Sequence, residues 1–108
     1  MNIPSDMGLS GKVAIICGGG ASGEGIGNGR AAAILLAKNG VKVAVVDKDF
    51  QAAEETTNII TGFGGCSYPI EADVTKEEEC KMLARSAMKT YGRIDILDNN
   101  VGISHSGS

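Results

Sequence analysis

Proline is scarce in this chain, basic residues are not in excess, and long apolar runs are absent. Two prolines stand against sixteen glycines in 108 residues, and the glycines are clustered rather than periodic. That excludes a collagen-like repeat and points to one tight backbone site. No apolar run reaches the roughly 18 residues that a membrane span needs, and the first residues carry no apolar signal core, so no membrane is expected and the expected location is cytoplasmic. Ten Lys and Arg against thirteen Asp and Glu give a net charge of -3. This balance argues against a nucleic-acid partner, which calls for a basic patch. Three cysteines, Cys17, Cys66 and Cys80, lack metal-ligand spacing, and an odd number is a poor disulfide framework. They read as reduced thiols in or near the core, and no metal site is expected. With 43% hydrophobic and 21% charged residues, the composition is that of an ordinary globular chain. The length suits one domain over residues 1–108.

Strands and helices alternate along the sequence. Lys12 to Cys17 is a short run of adjacent apolar, largely β-branched residues, the pattern of a strand buried on both faces. A glycine-rich stretch from Gly18 to Gly29 leads into Arg30 to Lys38, rich in strong helix formers and ended by Asn39-Gly40. Val41 to Asp47 is a second buried strand. Phe50, Ala53, Thr57 and Ile60 recur at helical spacing, and the glycines after Thr61 break that helix. Cys66 to Glu71 forms a third strand, weakened by Pro69 inside it. Thr75-Lys76-Glu77-Glu78 has the capping-box pattern, opening a helix with Cys80, Leu83, Ala84, Ala87, Met88 and Tyr91 on one stripe. Arg93 to Asp98 reads as a fourth strand. The βαβαβαβ order predicts an α/β doubly wound parallel sheet with strand order 3-2-1-4, a truncated Rossmann-like half of a dinucleotide fold.

The glycine-rich turn is the strongest chemical signal. A pyrophosphate reaches the amides of a helix amino terminus only where no side chains intervene, and there it meets unpaired N–H donors and the positive end of the helix dipole. Gly18 to Gly23 matches G-x-G-x-x-G between a strand and a helix, and Asp47 ends the next strand 20 residues after Gly27. A carboxylate at that spacing fits the ribose hydroxyls of an adenosine and repels a 2′-phosphate, favouring NAD over NADP, while the adjacent Lys48 softens that repulsion. A P-loop is excluded, because Gly11-Lys12, which precedes the first strand, is the only Gly-Lys pair.

From Lys12 to about Gly102 the chain resembles the short-chain dehydrogenases/reductases. Cys17-Gly18 stands where that family has Thr-Gly, and Gly25-Ile26-Gly27 corresponds to its later glycine pair, in a loop three residues longer than the family pattern. Gly27-Asn28-Gly29 is an alternative register; the first is preferred because Ile26 can plug the loop onto the sheet. Ala72-Asp73-Val74-Thr75 is similar to the family segment whose Asp contacts the adenine amino group and whose next residue packs on the ring. Asn99-Asn100-Val101-Gly102 is similar to the family's Asn-Asn-Ala-Gly, which supports the sheet and lines the riboses. The resemblance thus implies an NAD-binding site at Gly18, Ser22, Gly25, Ile26, Gly27, Asp47, Lys48, Asp73, Val74, Asn99, Asn100, Val101 and Gly102.

The family's catalysis uses a Ser and a Tyr-x-x-x-Lys pair. Tyr68 is followed four places on by Ala72 and Tyr91 by Asp95, so neither forms it, and His105 in a polar tail has no positioned acid. The expectation is an NAD-dependent oxidoreductase by resemblance, represented by its cofactor-binding half and inactive alone. A non-catalytic nucleotide-binding or self-associating module is the alternative. An FAD- or S-adenosylmethionine-binding domain is disfavoured by Asp73 and the Asn pair. The fourth strand, lacking an outer neighbour, is expected to pair with a second copy, giving a homo-oligomer.

Overall fold

Strands whose consecutive side chains are all apolar need cover on both faces, and the fold supplies it. The computed structural model describes residues 8–18 and 28–99. β1 (Val13–Cys17) is buried at every position, and β2 (Lys42–Asp47) is buried from Val43 to Val46. With β3 (Ser67–Glu71) and β4 (Ile96–Asn99) they form one parallel sheet in the order β3-β2-β1-β4.

The helices divide between the two faces. α1 (Asn28–Lys38) and α2 (Phe50–Gly62) cover one face, where Ala14, Ile16, Val43 and Val45 meet Ala33, Ala37 and Ile60. α3 (Glu77–Tyr91) covers the other, where Ile15, Cys17, Ala44 and Val46 meet Leu83 and Ala87. Each fully buried Val or Ile contributes about 1.5–3 kcal/mol of transfer free energy, so the alternating faces of β1 and β2 carry much of the stability. Right-handed crossovers force this division. The chain winds outward from β1 to β3 and then returns to the far side of β1, so the third crossover helix lies on the opposite face.

Local chemistry sets the element ends. Gly40 adopts φ +89 after α1, and its N–H donates to Ala37 C=O at 3.1 Å. A Cβ there would meet Ser10 Cα at 3.0 Å, so the close approach of the two turns requires glycine. The Asp49 side chain caps α2 by accepting the Ala52 N–H at 3.3 Å. Pro69 sits in β3, an edge strand, as the missing N–H demands.

The structure corrects the sequence reading in several places. α1 begins at Asn28, earlier than Arg30. The Thr75–Glu78 capping box does not form. Lys76 is the N-cap of α3 without a side-chain bond, because the Thr75 hydroxyl is drawn back to Asp73 Oδ1 at 2.6 Å. β4 starts at Ile96 rather than Arg93: Asp95 keeps one backbone bond to β1, its N–H donating to Val13 C=O at 2.9 Å, but the Val13 N–H is taken by the Asp95 carboxylate at 2.9 Å rather than by a backbone carbonyl. Met88 leaves the apolar stripe and is exposed. Cys66 is exposed, whereas Cys17 is buried and Cys80 half-buried; Cys66 stands just before β3, at the amino end of an edge strand.

Candidate functional site

A parallel sheet brings every strand's carboxyl end to one edge, and a crevice opens where successive helices switch faces, here between β1 and β4. Register makes the alignment explicit: Cys17 lies opposite both Val46 and Asn99, and Asp47 lies opposite Glu71. Gly18, Asp47, Asp73 and Asn99 therefore all reach this edge.

Gly18 turns the chain off β1 with φ +82, the left-handed region that favours glycine. Its N–H donates to Val46 C=O at 2.7 Å, tying the start of the glycine-rich stretch to β2. Ser22, Gly25, Ile26 and Gly27 lie outside the described residues, as do Asn100, Val101 and Gly102. Gly29 is buried within the first turn of α1.

Asp47 is half-buried at the end of β2, and its Oδ1 accepts the Asp49 N–H at 2.9 Å. The turn that orients Asp47 is thus the turn that caps α2. Asp47 C=O also accepts the Ala72 N–H at 3.2 Å, which joins the segment after β2 to the segment after β3. Lys48 is exposed and lies within electrostatic reach of Asp73.

Asp73 follows β3, and its Oδ1 accepts both the Thr75 N–H at 3.0 Å and the Thr75 hydroxyl at 2.6 Å. The Thr75 hydroxyl foremost, then the Thr75 N–H, holds the Asp73 carboxyl below its ordinary pKa, with Lys76 and Lys48 adding to the effect. At neutral pH this side chain is an acceptor only. Val74 is half-buried against the core face that holds Ala72 and Leu83. Asn99 ends β4 and is exposed.

Two further side chains bear on this segment, and the sequence pattern gives neither this role. Glu79 and Cys80, the latter on the apolar stripe of α3, both bond to the Asp73–Val74 backbone. The available signal was an acidic residue in the first turn of the helix after Asp73, but its partner depends on where that helix begins. The two tyrosines stand elsewhere. Tyr68 pairs with Ala44 and its hydroxyl bonds Ser86 at 2.8 Å, while Tyr91 ends α3 beside Cys66 and Lys42 at the amino end of the sheet. Among the described residues no group of His, Cys, Asp and Glu could hold a metal ion, and no helix is long and apolar enough to cross a membrane.

A parallel half-sheet in this strand order, with a left-handed glycine after β1 and carboxylates after β2 and β3, defines a Rossmann-like α/β fold. The chain belongs to the short-chain dehydrogenase family, whose model matches residues 12–108. It is 37% identical over 102 residues to an uncharacterised oxidoreductase of Thermotoga maritima, covering 94% of this chain and 38% of that protein. It is 37% identical over 99 residues to the short-chain dehydrogenase/reductase homologue YusS of Bacillus subtilis, covering 91% of this chain and 86% of that protein. Among solved structures, a hydroxysteroid dehydrogenase from Escherichia coli superimposes with a TM-score of 0.83 at 36% identity, over 93% of this chain and 40% of that one. A 7α-hydroxysteroid dehydrogenase complexed with NADH and 7-oxo glycochenodeoxycholic acid gives a TM-score of 0.79 at 35% identity, over 90% of this chain and 36% of that one. The chain thus spans well under half the length of most of these relatives.

Proposed function

We propose that the carboxyl edge of this sheet binds a nicotinamide dinucleotide, NAD in preference to NADP, as the cofactor-binding part of an oxidoreductase. One observation carries the reading: Gly18, Asp47 and Asp73 come to the same edge, bonded to one another's strands through Val46 and Ala72. In this reading the pyrophosphate lies against Gly18, Ser22, Gly25, Ile26 and Gly27. Asp47 accepts the adenosine ribose hydroxyls with Lys48 beside it, and Asp73 and Val74 meet the adenine. Asn99, Asn100, Val101 and Gly102 line the path toward the nicotinamide ribose.

The residues present fit such a ligand. A glycine at positive φ opens the turn, and two fixed carboxylates offer acceptors to hydroxyl and amino donors. Relatives complexed with NADH or NAD are similar to this chain over most of its length. When bound, the nicotinamide supplies hydride chemistry. The 108 residues contain no Tyr-x-x-x-Lys pair, so on their own they bind the dinucleotide without turning over alcohols or ketones. Calorimetric titration of the purified chain with NAD and with ADP-ribose tests this, and no heat from either at millimolar concentration overturns it.

A second reading, self-association, is favoured by β4. Among the described residues its outer edge has no partner strand, and Leu97, in register with Ile15, is 66% exposed. An unpaired edge of this kind is a template for a second copy.

A further inference from the structure

Two consecutive side chains of α3 hold the Asp73–Val74 segment from beneath. Glu79 Oε1 accepts the Asp73 backbone N–H at 2.6 Å. The Cys80 thiol donates to Val74 C=O at 3.2 Å. The segment is thus fixed at its entry by an acceptor and at its exit by a donor.

The placement of Glu79 is unusual for its helix position. A Glu at the third residue of a helix ordinarily turns back to the N–H of its own N-cap. Here the N-cap is Lys76, and its N–H already donates to Asp73 C=O at 3.0 Å. Glu79 therefore reaches past the cap to Asp73 itself. Its charge is favoured in the first turn of α3 by the helix dipole, and a carboxylate accepting an N–H makes a short, charge-assisted bond. The Asp73 backbone is consequently bonded on both sides, at N–H by Glu79 and at C=O by Lys76. The Asp73 side chain is equally constrained. Both Thr75 donors take Oδ1, and no described residue takes Oδ2.

We propose that Glu79 and Cys80 are positioning residues for base recognition: they fix Asp73 so that its second carboxylate oxygen meets the exocyclic amine of an adenine and rejects the carbonyl of a hypoxanthine. The inference rests on the dinucleotide reading above. A carboxylate only accepts, so it matches an amino donor and repels a carbonyl oxygen at the same ring position. That difference counts only while the acceptor is held in place. A segment released from α3 can swing Oδ2 away from the base, and discrimination then falls.

The test is calorimetric titration of the purified chain with NAD and with nicotinamide hypoxanthine dinucleotide. A fixed charged hydrogen bond implies that the wild type prefers NAD by ~tenfold or more. Glu79→Ala should bring the two ligands within about threefold by weakening NAD alone, whereas Glu79→Gln, which keeps an oxygen acceptor, should restore most of the preference. Cys80→Ala should lower the ratio and Cys80→Ser, which keeps a donor, should preserve it. An alanine variant at Glu79 that keeps the wild-type ratio, or that loses both ligands equally, overturns the positioning role while leaving dinucleotide binding intact. A wild type that binds neither ligand overturns the dinucleotide reading and this inference with it. Should circular dichroism show Glu79→Ala to be unfolded, the ratio in Cys80→Ala decides.

Discussion

Asp95 holds Val13 by two hydrogen bonds. Its backbone N–H donates to Val13 C=O at 2.9 Å, and its Oδ2 accepts the Val13 N–H at 2.9 Å. Arg93 grips the same carboxylate with Nε at 2.8 Å and Nη2 at 2.9 Å. Val13 is fully buried at the start of the central strand, so its N–H depends on this one side chain.

Asp95→Ala should therefore destabilise the fold more than an ordinary surface substitution, because it strands a buried donor. A drop of several degrees in melting temperature is expected. Asp95→Asn keeps an acceptor and loses only the charge, so its drop should be smaller. Thermal melts followed by circular dichroism compare the two, and equal drops would assign the effect to the Arg93 ion pair instead.

Stability should also fall in acid through these carboxylates. Arg93, and then the Val13 N–H, hold Asp95 below its ordinary pKa, as the Thr75 donors hold Asp73. A carboxyl depressed in the folded state binds its proton more readily when unfolded. Its contribution is complete above the unfolded value of about 3.9 and is lost as pH falls through the lower folded value. Denaturant midpoints measured from pH 6 to pH 2 should decline below about pH 4, and Asp95→Asn with Asp73→Asn should flatten the decline.

The thiols should react in a fixed order. Burial, reinforced by the Cys80 thiol and the Asp98 carboxylate, pushes Cys17 up to about 11, while Cys66 is exposed. The thiolate is the nucleophile. Brief iodoacetamide treatment of the native chain at pH 8, mapped by mass spectrometry, should label Cys66 first and leave Cys17 intact until denaturant is added.

Asp47→Ala should relax the preference for NAD over NADP by ~tenfold while lowering total nucleotide affinity less, because removing the carboxylate removes the repulsion of a 2′-phosphate. Parallel titrations with both dinucleotides measure the ratio. Equal losses would assign Asp47 to the turn it makes with Asp49.

The purified chain should self-associate through β4. Light scattering at high micromolar concentration is expected to give a dimer or larger species, and Leu97→Lys, which places charge on the exposed strand, should shift it toward monomer. A wild type that remains monomeric excludes pairing through this edge.

The sheet was legible in the sequence because its causes are local. Val13 to Cys17 and Val43 to Val46 are apolar at consecutive positions, which only a doubly covered strand accommodates. Pro69 weakens the third strand, Gly40 marks a helix end, and the usual order of mononucleotide-binding units gives β3-β2-β1-β4. The spacing of 20 residues from Gly27 to Asp47 is a property of the sequence alone.

What the sequence by itself determined, then, is which segments become strands and helices and in what order they lie. Tertiary structure alone decided which donor meets which acceptor. Thr75 and Glu78 have the spacing of a capping box, yet Asp73 competes for the Thr75 hydroxyl and wins at 2.6 Å, which moves the cap to Lys76 and sends Glu79 back to Asp73. Arg93 to Asp95 looks like the start of a strand, yet the Val13 N–H, 82 residues away along the chain, claims the Asp95 carboxylate. A repeating pattern records how a segment buries its own faces. A hydrogen bond is awarded to whichever acceptor the folded chain brings nearest, and that proximity exists only after the strands have assembled.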